Sequence, residues 1–492
     1  MPTSSNSATN FDSPIGNIPY DVLREIFLHC LPHNPHEWRN RQPSTKIAPI
    51  LLCHVCSSWR TVALTSPKLW THIGYYFPAE WTRIKSGSDR YWAIRPKDLE
   101  FIQWWRKNHG AIPPFLSFTT EADQLEVQDI AEAPISDLPK KSKMFAAVQK
   151  LRACQACLLL YMASAQCLDI SMPFWNMILR SGERNQWPMF PNLHTLTSSW
   201  NLYDPLSIVH DDFIGLLPHC SPMLLRRLHI HFADFGDWPT ILPHLHKLTH
   251  ISLQRVGFNL EFWHVFIRAF PDLQWASFDI YIDPSGLADY FFPPPKHTLS
   301  HLTTLYFSIF TEYDQIDTFT PFFDNLSLPS VHTLGVSSDL RSWMDQRAIA
   351  EISTVLQSAP NITTLYLGRD FLSEYHLTAD IIPFWQTVSN LTRLQLQIFS
   401  NNDFTAEEVQ MALDQFVGRF FNSETEHMLF DLKNVACSIR TISLALKYVE
   451  KIEDRVASHV RDLKRRWPNI DFQICSESLG EASRDAWESW IL

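Results

Sequence analysis

One spacing recurs through the middle of the chain and limits what it can fold into. An apolar residue is followed by two variable positions, a second apolar residue, one variable position and a third apolar residue. It occurs at Leu225/Leu228/Ile230, Leu248/Ile251/Leu253, Leu302/Leu305/Phe307, Val331/Leu334/Val336, Ile362/Leu365/Leu367 and Leu391/Leu394/Leu396. Weaker copies stand at Leu193/Leu196/Ser198 and Leu273/Ala276/Phe278, and successive first positions lie 23 to 32 residues apart. The last two apolar positions alternate, so each copy reads as a short strand with one buried face, entered through a turn anchored by the first. Amphipathic stretches such as 260–270 and 346–358 lie between the copies. Strand then helix, repeated, predicts an α/β chain: a parallel sheet backed by helices and stacked unit on unit.

The units resemble irregular leucine-rich repeats, although they lack a clear Asn at the family's usual turn position. The resemblance implies a solenoid with its parallel strands on a concave face. The variable residues of each strand point away from the helix-backed core. Among them, Arg227, His229, His250, Trp275, Tyr306, Tyr366, Arg393 and Gln395 are the candidate substrate-binding residues, because Tyr, Trp, Arg and His are the types that anchor interfaces. Strand propensity alone also favours Thr and Tyr on such a face. Fainter strands are expected at 71–77, 115–118 and 167–170, with helices near 99–108 and 144–165. Towards the C-terminus, 406–421 and 439–467 read as helices and 467–472 as a last strand capping the array.

A different pattern occupies the first seventy residues. Ile18-Pro19 precedes a helical stripe in which Val22, Leu23, Ile26, Phe27, Cys30 and Leu31 share one face, with Asp21 near the positive N-terminal end. Leu51, Leu52, Val55, Cys56, Trp59, Val62 and Ala63 form a second stripe, and Ser66-Pro67-Lys68-Leu69-Trp70 a short third turn. Helices this short cannot bury such wide apolar faces alone, so the surplus must pack on the rest of the chain or on a partner.

Ile18-Pro19 with its amphipathic helix, then Val55-Cys56-Ser57-Ser58-Trp59-Arg60, then Ser66-Pro67-Lys68-Leu69-Trp70, together resemble an F-box of the form common in fungal F-box proteins. A polar insert at about 32–46 departs from the family pattern and is expected to be a surface loop. The resemblance implies an all-α F-box that docks on a Skp-type adaptor and, through it, on a cullin-RING ubiquitin ligase. The repeat domain would then hold a protein substrate. Carried over, Ile18, Pro19, Leu23, Ile26, Phe27, Val55, Cys56, Trp59 and Leu69 are the fold and adaptor residues. The expected organisation is a disordered lead over 1–14, the F-box over 15–75, linking helices and early repeats over 76–180, the solenoid over 181–400 and a C-terminal cap over 401–492.

Other chemistries find little support. The net charge of −11 argues against generic nucleic-acid or anionic-membrane binding. No apolar run is long enough to span a bilayer, and the polar start is no secretory signal. Nine scattered cysteines suggest no disulfide framework and fit a reducing compartment, cytoplasm or nucleus. Cys53/Cys56 and Cys154/Cys157 are CxxC pairs, but each lies on a helical apolar stripe and is read as buried packing. His244, His246 and His250, with His229 and His231 upstream, have no HExxH arrangement and are read as solvent-facing. The run Arg461–Arg466 reads as a solvated helix face. There is no phosphate-binding glycine loop and no nucleophile elbow. The chain is therefore expected to be a non-catalytic receptor without cofactor or metal. A non-ligase scaffold, or a repeat array with a hidden metal or enzymatic site, are the alternatives.

Overall fold

A computed structural model describes residues 18–32, 42–77, 81–83, 90–92, 96–120, 156–171, 188–199, 216–233, 238–258, 260–282, 295–310, 320–323, 325–338, 355–368, 390–399, 410, 414, 441–447, 453–466 and 468–475. The chain divides into two units, 1–193 and 194–491. It is α/β, and its main sheets are parallel.

The first unit opens with α1 (Tyr20–His29), α2 (Ile50–Val55) and α3 (Ser57–Leu64), followed by a 3-10 turn at Pro67–Trp70. The second apolar stripe is not one helix. Cys56 is extended, with φ −157° and ψ 172°, and its Sγ accepts the Trp59 amide as the N-cap of α3. Strand β1 (His72–Phe77) follows directly. After a small antiparallel pair, β2 (Trp81–Arg83) with β3 (Arg90–Trp92), come α4 (Pro96–His109), β4 (Phe115–Thr120) and β5 (Cys167–Ser171). The parallel order is β1-β4-β5, with His72 opposite Phe115 and Phe115 opposite Cys167. The expected early strands are therefore present, as is the helix at 99–108. Of the helix expected at 144–165, residues 156–162 are helical, and 144–155 lie outside the described residues.

Two tryptophans tie the N-terminal helices to this sheet. Trp70, fully buried, donates its indole N–H to the Ala63 carbonyl at 2.8 Å. Trp105 of α4 donates to the Trp70 carbonyl at 2.7 Å, and the two rings meet edge to face at 4.9 Å. The polar insert also engages the sheet at its return: Gln42 Nε2 donates to the Tyr76 carbonyl of β1. Residues 33–41 of the insert lie outside the described residues.

Among the described residues, the second unit carries ten parallel strands in one sheet. They are β6 (Thr195–Ser199), β7 (Arg227–Ala233), β8 (His250–Phe258), β9 (Trp275–Ile282), β11 (Thr304–Phe310), β13 (Thr333–Ser338), β14 (Thr364–Leu367), β15 (Arg393–Phe399), β16 (Thr441–Lys447) and β17 (Asp471–Cys475), and their spatial order follows the sequence. Strands β10 (His297–Thr298) and β12 (Leu326–Ser327) form a separate parallel pair. Helices α5 (Trp238–Leu245), α6 (Leu260–Arg268), α7 (Thr320–Phe323) and α8 (Glu453–Arg466) fall between strands.

The repeat pattern maps onto this sheet without slippage. The first apolar residues Leu225, Leu248, Leu273, Leu302, Val331, Ile362 and Leu391 are all buried, as are the alternating pairs from Leu228/Ile230 to Leu365/Leu367. A further buried column, three residues before the anchor, holds Leu245, Phe270, Leu299, Leu328 and Ala359. Trp263 of α6 shows how a helix covers this core. It packs edge to face on Phe278 at 5.0 Å and donates its N–H to the Phe322 carbonyl at 3.0 Å.

The helix expected over 439–467 is corrected by the structure. Residues 441–447 are strand β16, paired with β15 so that Ile442 faces Leu394, and only Glu453–Arg466 is helical. Ile439/Ile442/Leu444 repeats the apolar spacing and is the signal for that strand. The last strand, β17, lies a few residues beyond the expected 467–472. Of 406–421, only Gln410 and Asp414 are described, both helical.

Tight spacing between β13 and β14 leaves no room for a side chain at one glycine. A Cβ on Gly368, just past β14, would lie 2.6 Å from Ser337 Cβ and 3.3 Å from its Cα. Gly368→Ala is expected to lower stability by about 1–3 kcal/mol. The added substitution Ser337→Gly should restore part of that loss. Urea-unfolding midpoints of the single and double variants check both.

Candidate functional site

In the first unit, large apolar side chains gather on the N-terminal helices. Eleven are exposed among the described residues, and five of them (Tyr20, Val22, Ile26, Leu51 and Val55) lie between positions 20 and 55. The helical spacing explains the geometry. Leu23 and Phe27 are four residues apart and buried, and Phe27 packs on Trp59 with ring centroids 4.9 Å apart. Val22 and Ile26, also four apart, form the adjoining stripe and stay open to solvent at 49% and 41% exposure. On α2, Leu52 and Cys53 turn inward while Leu51 and Val55 face out.

The nine adaptor residues thus separate into two groups. Leu23, Phe27 and Leu69 are core, and Trp59, half-buried, backs Phe27. Their packing holds the helices in place and offers little to a partner. Pro19, Ile26, Val55 and Cys56 are exposed, and Ile18 is half-buried. Val22 and Leu51 belong with the exposed group. Their signal in the sequence was their four-residue spacing from Ile26 and Val55. Arg60 steadies the α2–α3 break by donating Nε–H to the Cys53 carbonyl at 2.8 Å. Burial raises the Cys53 thiol's pKa, and both CxxC cysteines here are free thiols. Cys154 lies outside the described residues.

In the second unit the variable residues of the strands form rows across the sheet. One row runs Thr195, Arg227, His250, Trp275, Thr304, Thr333, Thr364, Arg393, Thr441, Asp471; the next runs Thr197, His229, Ser252, Ser277, Tyr306, Gly335, Tyr366, Gln395, Ser443, Gln473. This face is less open than the alternation implied. His229, His250, Trp275, Tyr306 and Gln395 are buried; Arg227 and Tyr366 are half-buried, and Arg393 is exposed. Strands about 4.8 Å apart bring same-row side chains into contact, so large neighbours cover one another. Tyr306 and Tyr366 stand two strands apart, yet their rings meet at 5.8 Å. Gly335, opposite both, has no side chain to separate them. Trp275 adds a further ring contact with Tyr306 at 6.1 Å.

Of the histidines expected to face solvent, His229 and His250 are buried, whereas His244 and His246 are half-buried. Thr249 Oγ1 hydrogen-bonds His250 Nδ1 at 2.8 Å. Burial first, and then the neighbouring Arg227 charge, hold the His250 pKa down to about 4. In the first unit, burial lowers His72 to about 4 in the same way, beside Thr71 Oγ1 at 3.0 Å. No group of three or more His, Cys, Asp or Glu that could hold a metal ion occurs among the described residues. The basic run lies on α8, where Val460 and Leu463 are buried and Arg461, Lys464, Arg465 and Arg466 are exposed. No helix among the described residues is long and apolar enough to cross a membrane.

The depressed His250 pKa carries a sign. Above pH 6.5 the imidazole is neutral in both folded and unfolded chains and costs nothing. As pH falls from 6.5 to about 4, the unfolded chain takes up a proton that the fold refuses, so stability is lost over that window. Wild type is expected to lose about 2–3 kcal/mol more than His250→Gln between pH 7 and pH 4.5, read from urea-unfolding midpoints at each pH.

Neither the family models nor the curated proteins with which the chain was compared contain a match to it.

Proposed function

We propose that the chain is the substrate-recognition subunit of a cullin-RING ubiquitin ligase of the SCF type. Its N-terminal helices would be an F-box that docks on a Skp-type adaptor. Its second unit would be a leucine-rich-repeat-like array that holds a protein substrate. One observation carries the reading: the segment with the F-box-like residues also concentrates the exposed apolar side chains, on helices whose inner faces are already filled. Exposed apolar side chains concentrated on well-packed helices suit a protein-docking surface. The function is then proximity, because holding a substrate beside the ubiquitin-charged enzyme raises its effective concentration.

The test is co-purification of the full chain with a Skp-type adaptor. Wild type should retain it, and Ile26→Asp/Val55→Asp should lose at least tenfold of the affinity with an unchanged melting temperature, since both side chains are exposed. Failure of wild type to bind the adaptor would sink the reading. Adaptor binding without ubiquitin transfer in a reconstituted cullin-RING assembly would leave the scaffold reading instead.

A further inference from the structure

In the first two rows of the second unit's strand face, exposure rises toward the later strands. From β6 to β9 the two rows are almost wholly buried: Thr197 and Ser252 are 0% and 1% exposed, and Trp275 is 1%. From β11 onward the first row opens. Thr304, Thr333 and Thr364 are half-buried, Arg393 is exposed, and Thr441 is half-buried. These residues are in register on adjacent strands, so they form a row with a step of about 4.8 Å. The ring of Tyr366 borders it in the next row.

Arg393 is the charged member of this strip. Its guanidinium makes no hydrogen bond or ion pair among the described residues, whereas its backbone amide is held by the Thr363 carbonyl at 3.0 Å. Its base is therefore fixed, and among the described residues its donors are unused. The nearest acidic residue in the row, Asp471, is two strands away and already paired with Lys464 at 3.3 Å. Hydroxyl donors in line, a tyrosine ring and an uncompensated guanidinium suit an extended peptide bearing a carboxylate.

We infer that the strip Thr304–Thr333–Thr364–Arg393 binds an acidic peptide segment of the substrate, with an Asp or Glu side chain on the Arg393 guanidinium. A carboxylate is favoured over a phosphate because phosphorylated motifs are held by clusters of arginines, and among the described residues one stands in this strip. The inference rests on the receptor reading for calling this peptide part of a substrate.

The experiment is selection of random 12-residue peptides on the immobilised full chain, followed by fluorescence anisotropy with the enriched peptides. Wild type should enrich peptides rich in Asp and Glu. Arg393→Glu should weaken the selected peptides by at least tenfold, Arg393→Gln by less, and added salt should weaken wild-type binding. Arg393 is exposed, so an unchanged melting temperature in both variants shows that the fold is intact. Enrichment without acidic bias, no enrichment, or equal binding by wild type and Arg393→Glu would overturn the inference. Displacement by millimolar inorganic phosphate would overturn the choice of a carboxylate. Scoring adaptor binding and peptide selection on the same wild-type chain separates the two readings: acidic selection without adaptor binding removes the ligase role alone, and adaptor binding without acidic selection removes this site alone.

Discussion

A single backbone carbonyl per repeat sets the architecture of the second unit. The carbonyl of the residue after each anchor accepts the two successive amides that open the next unit. His194 takes Arg226 and Arg227, Arg226 takes Thr249 and His250, and the sequence continues through Thr249, Gln274, Thr303, His332 and Thr363 at 2.8–3.4 Å. Threonine at this position adds a third bond: Thr249, Thr303, Thr363 and Thr392 each donate a hydroxyl to the preceding carbonyl. These bonds fix the step between strands before the ladder begins, so every later row falls in register. They also satisfy the turn's polar groups where it passes into the core.

The first unit uses the same device. Phe115 donates to the Thr71 carbonyl at 2.7 Å, and Gln166 and Cys167 donate to that of Pro114. Pro114 has no N–H, so the step from Thr71 carries one amide instead of two. The N-terminal helices enter this frame through Trp70. Its indole reaches back to Ala63, its carbonyl accepts from Trp105, and Thr71 then starts the sheet. The helical surface is thus built onto the first strand, with no free linker between Trp70 and His72.

Burial on the strand face follows from the same register. In-register parallel strands place like positions side by side, so a large residue shields its smaller neighbours. Gly335 lets Tyr306 and Tyr366 close over it, and the hydroxyl row beyond Trp275 stays open because its members are short. The His250 pKa is held down for the same reason: Arg227 and Trp275 flank it in the row and water is displaced.

Most strands of the repeats, their anchors and the two alternating core positions were legible in the sequence, whereas the buried column three residues before each anchor was not. The legible positions depend on local alternation and on a spacing that one unit displays in full. The sequence also located the helical segment with surplus apolar residues. It misread β16 because Ile439, Ile442 and Leu446, at i, i+3 and i+7, also share one helix face over so short a run, and pairing with β15 decides between them. Which members of each stripe face inward was likewise a tertiary matter. Val22 and Leu23 are adjacent and equally apolar, and Phe27 packing on Trp59 turns one in and leaves the other out. The same holds for the strand face, where alternation says which side a residue points to. Whether that side is open depends on the sizes of its neighbours across the sheet, and only the tertiary structure brings them together.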